Sequence, residues 1–107
     1  MYNHEKYLKC YYSKPVEHVV YILKITDKDI YKVGKSKRLT HRLYNLKQSL
    51  YEPFEVFQLL KFEDAFECSN TEASVKELLK PYNIRGEWFQ CTRQVVENVI
   101  NTFLWWL

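Results

Sequence analysis

The stretch "IYKVGKSKRLTHRL" (Ile30–Leu43) decides the fold, because the spacing of its apolar residues changes partway along. Ile30 to Gly34 reads as a short strand. From about Lys37 the period lengthens, with Leu39, Leu43 and Leu46 at i, i+4 and i+7, so a helix follows. Gly34-Lys35-Ser36 also resembles the end of a phosphate-binding P-loop. Such a loop needs a glycine five positions earlier, where the backbone curls around the phosphates. That position is Asp29, an anion where a phosphate should approach. A chain of 107 residues also has no room for the parallel sheet that carries a P-loop. That reading is excluded.

On the N-terminal side, Val16 to Ile25 reads as a strand with Val19, Tyr21, Leu23 and Ile25 on one face. "TDKD" (Thr26–Asp29) turns the chain, so the two strands form a hairpin. On the C-terminal side, Phe54 to Phe62 is a third strand. Asp64 to Lys80 is helical, stopped by Pro81, which disfavours helix in the residue before it. "GEWFQC" (Gly86–Cys91) reads as a turn and a short extended piece. Thr92 is the N-cap of a last helix over residues 92–107. The expected fold is α+β, a small, mainly antiparallel three-stranded sheet flanked by helices in the order β-β-α-β-α-α. Residues 1–107 form a single domain, and residues 1–15, rich in Tyr and Lys, are an N-terminal extension with no clear period.

Composition supports a packed globule, with 47% hydrophobic and 17% aromatic residues and only 2 Gly and 3 Pro. No apolar run approaches a membrane span, and the first residues lack a signal-peptide core. Cys10, Cys68 and Cys91 are odd in number and far apart, and no histidine stands at zinc-ligand spacing from them. A reduced, intracellular setting, cytoplasmic or nuclear, is expected. The net charge is +3, but its distribution is informative. From Ile30 to Tyr51 there is no Asp or Glu, yet there are Lys32, Lys35, Lys37, Arg38, Arg42 and Lys47. The remainder has 10 basic and 13 acidic residues, a net of −3. Such concentration of positive charge favours an anionic partner, although a solvated helix face gives the same pattern.

At 100° per residue, Arg42 lies about 60° from Leu39, at the margin of the apolar stripe. An arginine there suits a bidentate grip on phosphate or a structural salt bridge. On the second helix, Cys68, Val75, Leu78 and Leu79 define the buried stripe. Glu72 falls within about 60° of its centre, whereas Glu67 and Glu77 point outward. A half-buried carboxylate needs a cation, a metal or a hydrogen-bond donor. Tyr21, taken alone, reads as a core residue.

Together these features resemble the GIY-YIG nuclease superfamily, especially its branch in phages and large DNA viruses. Its two tripeptides would correspond to Val19-Val20-Tyr21 and Lys32-Val33-Gly34. "KVGKSKRLTHRL" resembles the second tripeptide with its arginine helix, placing that arginine at Arg42. "TEASVKELLKPYN" resembles the metal-binding Glu segment, placing the carboxylate at Glu72. "IRGEWF" (Ile84–Phe89) is similar to the closing signature of the viral branch. The resemblance covers about Val16 to Phe89. Two positions depart from the pattern: Val19 replaces the first glycine, and Lys32 replaces the second tripeptide's tyrosine. Tyr31 is adjacent, but strand alternation turns it to the other side.

The resemblance implies hydrolysis of DNA phosphodiesters, with RNA not excluded as a substrate. Glu72 would hold Mg²⁺ or Mn²⁺, Tyr21 would accept a proton from the attacking water, and Arg42 and Lys32 would stabilise charge on the phosphate. Lys35, Lys37 and Arg38 would attract the nucleic-acid backbone. A phenol of ordinary pKa needs roughly 4 kcal/mol of help from nearby cations to be half ionised at neutral pH. His41 is an alternative base, though it is turned about 100° from Arg42. A domain this small has little surface for reading bases, so specificity would come from a homodimer or an additional domain. Two other readings stand beside this one: a catalytically inactive nucleic-acid-binding module, and a protein-interaction domain using the aromatic ends of the chain.

Overall fold

The computed structural model describes residues 18–104. The expectations for residues 1–15, for Val16, and for the end of the last helix past residue 104 lie outside them. Strand β1 (His18–Ile25) and strand β2 (Ile30–Ser36) form the expected hairpin, followed by helix α1 (Leu39–Ser49), strand β3 (Phe54–Phe62) and helix α2 (Ala65–Leu78). A 3₁₀ turn at Lys80–Tyr82 leads into strands β4 (Asn83–Arg85) and β5 (Trp88–Gln90), and helix α3 (Arg93–Leu104) follows. No helix among the described residues is long and apolar enough to cross a membrane.

The fold class is α+β as expected, but the sheet has five strands rather than three, in the order β3-β1-β2-β5-β4, with every pairing antiparallel. The element order is therefore β-β-α-β-α-β-β-α. The extra hairpin escapes the sequence because strands of three residues are too short to show a period. What makes them strands is the free edge of β2, which pairs Ile30, Tyr31 and Lys32 with Gln90, Phe89 and Trp88. Gly86 turns the hairpin with a φ of 52°, a conformation that costs glycine nothing. Asn83 locks the turn by donating from Nδ2 to the carbonyls of Gly86 and Trp88.

Helices cover both faces of the sheet. On one face Val20, Ile22, Tyr31 and Val33 pack against Cys68 and Val75 of α2 and Val96 and Ile100 of α3. On the other, Val19, Tyr21, Leu23 and Leu59 pack under Leu39, Leu43 and Leu46 of α1. Strand β1 is thus buried on both sides, which explains its nearly unbroken apolar run, HVVYILKI. Tyr31 faces away from Tyr21, as alternation requires, and stacks edge-on against Phe57 with centroids 5.3 Å apart. Burial pushes its phenol up to about 12, and the nearby charge of Asp29 adds to this. Tyr31 is a core residue and does not stand in for the missing motif tyrosine.

Helix ends follow local chemistry. Asp64 caps α2 by accepting from Phe66 N, and Thr92 Oγ1 accepts from Val95 N at the start of α3. Helix α2 ends at Leu78, and Pro81 sits inside the 3₁₀ turn that follows. Leu78, expected in the buried stripe, is 48% exposed: at 100° per residue it stands about 100° around the helix from Leu79, and Cys68, Val75 and Leu79 hold the stripe.

Candidate active site

Pairing of β1 with β2 sets Tyr21 directly opposite Gly34 and Leu23 opposite Lys32. Residues opposite one another in an antiparallel pair share a face. Tyr21, Lys32 and Gly34 therefore lie on the face that α1 covers. The Tyr21 ring lies across Gly34: a Cβ there would sit 2.5 Å from Tyr21 Cζ and 3.0 Å from Cε1. Gly34 keeps a negative φ, so its role is to leave space, not to bend the chain.

Helix α1 brings Arg42 to the hydroxyl end of this ring. Its Nε donates to Tyr21 Oη at 3.2 Å. That hydrogen bond, with the charge attraction to the same oxygen, holds the guanidinium above its ordinary value, and Glu87 adds a weaker attraction. Tyr21 is fully buried, whereas most of Arg42 is exposed. Nε is thus anchored, and among the described residues the other guanidinium donors have no hydrogen-bond partner.

Beside this pair runs a chain of alternating charges. Lys32 Nζ lies 2.7 Å from Glu87 Oε1, Lys76 Nζ lies 2.7 Å from Glu87 Oε2, and Lys76 Nζ also lies 3.2 Å from Glu72 Oε2. The side chains of Lys32 and Glu72 are only 9% and 12% exposed. Charges this buried persist only when paired. Lys32 also lies over the Trp88 ring, 5.5 Å from its centroid. Burial alone would raise the Glu87 carboxyl, but the hydrogen bonds from Lys32 and Lys76 outweigh it and hold the group below the usual carboxylate range. Burial would likewise lower the Lys76 ammonium, and its bonds to Glu87 and Glu72 raise it instead.

The sign of the acid response follows. A carboxyl lowered on folding stabilises the protein fully above its ordinary value of 4.5, and that contribution is lost as pH falls through the folded value. Urea midpoints measured across this range are expected to fall below about pH 4.5, and less steeply in Glu87→Gln. An unchanged acid profile in the variant would show that the ion pairs at Glu87 do not couple to folding.

The expected residues thus meet in two groups. Tyr21 and Arg42 touch directly, while Lys32 and Glu72 are joined only through Glu87 and Lys76. Lys35 faces the other side of the sheet, where its Nζ donates to Ser69 Oγ of α2 at 2.7 Å. Lys37, Arg38 and His41 are exposed. Glu87 and Lys76 were not among the residues singled out from the sequence. Glu87 sits in the two-residue turn Gly86-Glu87, which has no periodicity, and Lys76 reads as an ordinary helix cation.

Among the described residues, no three His, Cys, Asp or Glu side chains gather as a ready ligand set. The donors at hand are the carboxylate oxygens of Glu72, with those of Glu87 beyond Lys76. Hard oxygen donors suit Mg²⁺ or Mn²⁺, and Mg²⁺ keeps several waters, so a single carboxylate fits such an ion chemically. The ion would compete with Lys76 for Glu72 Oε2.

The chain is 31% identical over 75 residues to the uncharacterized protein 460R of invertebrate iridescent virus 6, covering 70% of this chain. The match takes in 34% of that relative, so this chain spans about a third of its length. No solved structure matches. The model of the T5orf172 domain, a phage-associated domain, matches residues 18–106, which takes in every strand and helix described above. The chain belongs to the T5orf172 domain family.

Proposed function

We propose that this domain is a GIY-YIG-type endonuclease that hydrolyses DNA phosphodiester bonds with a divalent metal. The observation that carries this reading is the Tyr21–Arg42 hydrogen bond over Gly34, with the Lys32–Glu87–Lys76–Glu72 chain beside it.

Tyr21 Oη is the proton acceptor for the attacking water. Arg42 Nε already donates to that oxygen, which fixes its position for the role. The guanidinium edge that Tyr21 does not use is planar and matches a phosphate's two oxygens. Lys32 is held in place by Glu87 and acts as a fixed charge rather than a mobile hand. Glu72 would hold Mg²⁺ or Mn²⁺, which when bound supplies Lewis-acid stabilisation of phosphate oxygens. Lys37 and Arg38 add attraction to the backbone. Lys35, tied to Ser69 on the opposite face, contributes less than its sequence position suggests. Choice of target would rest on a second copy or a further domain.

A second reading has its own support: Lys32 and Glu72 are both already engaged in ion pairs. A nucleic-acid-binding module without turnover would keep those pairs closed. Incubation of supercoiled plasmid with and without Mg²⁺ or Mn²⁺ decides between them. Metal-dependent conversion to the nicked form is expected. Binding to DNA that weakens steeply with salt, with no nicking in either metal, would establish the second reading instead.

A further inference from the structure

A groove of about 730 Å³ lies against α1 on the side away from Arg42. Thr40, Leu43, Tyr44 and Lys47 form one wall, and residues 50–54, from Leu50 to Phe54, form the other. Its rim carries two aromatic rings turned to solvent: Tyr44 is 62% exposed and Tyr51 fully exposed. The Thr40 hydroxyl has no hydrogen-bond partner among the described residues. Both rings offer a face for stacking, and they flank a lysine.

Charge selects the occupant. From Ile30 to Tyr51 the chain has no carboxylate. The one acid of the groove, Glu52, is held by Lys28 Nζ at 2.5 Å, so its charge is matched. What remains is an aromatic, partly apolar slot with Lys47 at its wall. That combination suits a flat, uncharged ring attached to an anion. A nucleobase on its phosphate backbone has this chemistry, and base stacking on exposed aromatic rings with nearby cations is a general mode of binding single strands.

We infer that the groove between α1 and residues 50–54 binds unpaired bases of the same DNA strand that Arg42 holds by its phosphate. This rests on the nuclease reading and names its substrate as DNA with an unpaired segment. Arg42 and the groove flank the outer face of α1. That face presents His41, Asn45 and Gln48, all exposed and none acidic, and Lys37 is exposed just before the helix. A helix is about 10–12 Å across with its side chains, so a strand can pass over it within a few nucleotides.

The test is fluorescence anisotropy of the full chain in EDTA, where no cutting occurs, with a labelled single-stranded DNA oligonucleotide and its fully paired duplex. Tyr44→Ala and Tyr51→Ala are expected to weaken single-strand binding by roughly 5- to 150-fold. Tyr44→Trp, which keeps a stacking face, should bind like the wild type, and duplex affinity should not change. Wild-type affinity in both alanine variants would overturn the inference, as would an equal loss on duplex or tighter binding of the same-sequence RNA strand. The two readings fail separately. Absent plasmid nicking with intact Tyr-dependent binding removes only the nuclease reading, and nicking with no Tyr dependence removes only this one.

Discussion

Arg42→Ala and Glu72→Gln are each expected to reduce metal-dependent plasmid nicking by at least about 100-fold, the scale set by removing one donor from a preorganised site. The reasons differ. Arg42 loses both its bond to Tyr21 Oη and its outward guanidinium edge. Glu72→Gln removes the charge that would attract a divalent cation while keeping nearly the same shape. Neither should unfold the protein. Arg42 is mostly exposed, and Lys76 keeps its 2.7 Å bond to Glu87 when Glu72 is neutral. Circular dichroism and thermal melts of both variants should therefore match the wild type. Wild-type nicking in either variant would sink the assignment of these residues. A companion measurement is Mn²⁺ binding: Glu72→Gln should weaken it, and unchanged binding would place the metal elsewhere.

Gly34→Ala should act through the fold itself. The new methyl group would lie 2.5 Å from Tyr21 Cζ, well inside van der Waals contact. The ring has nowhere to withdraw, since Tyr21 is fully buried among Val19, Leu23, Leu39 and Leu59. Overpacking of this kind costs about 1–3 kcal/mol, and each kcal/mol lowers Tm by roughly 4–8 °C in a domain near this size. Because the displaced ring carries the proposed proton acceptor, nicking should fall further than stability does. Tyr21→Phe separates the two effects, since it removes the hydroxyl while keeping the ring, and should lose activity with little change in Tm. A Gly34→Ala protein as stable and active as the wild type would mean that the Tyr21 ring does not lie over this strand.

Much of this was legible in the sequence because it depends on local periodicity. The switch from alternation to 3.6 spacing after Gly34 marks β2 and α1, and the run FEVFQLLKF marks β3 at its observed bounds. The wheel also turns Arg42 to the margin where its Nε reaches Tyr21 Oη, and turns Glu72 toward the body, where its side chain is 12% exposed. Leu78 lies outside the stripe because Cys68, Val75 and Leu79 centre it about 80° away around the helix.

Other features exist only through pairing between distant segments. The β4–β5 hairpin is too short to be read alone and forms because the edge of β2 is there to receive it. That docking carries Glu87 to Lys32, 55 residues away, and to Lys76, turning two unrelated lysines and a turn carboxylate into one ion-pair chain. The requirement for glycine at position 34 is likewise invisible locally, since its backbone is ordinary and the constraint is a ring on the neighbouring strand. The sequence by itself determined the elements through α2, their order, and the concentration of positive charge on one segment, because each is a property of residues close along the chain. The tertiary structure alone decided which of those charges are free to meet a phosphate and which are already spent on each other, because burial and pairing are properties of the packed whole.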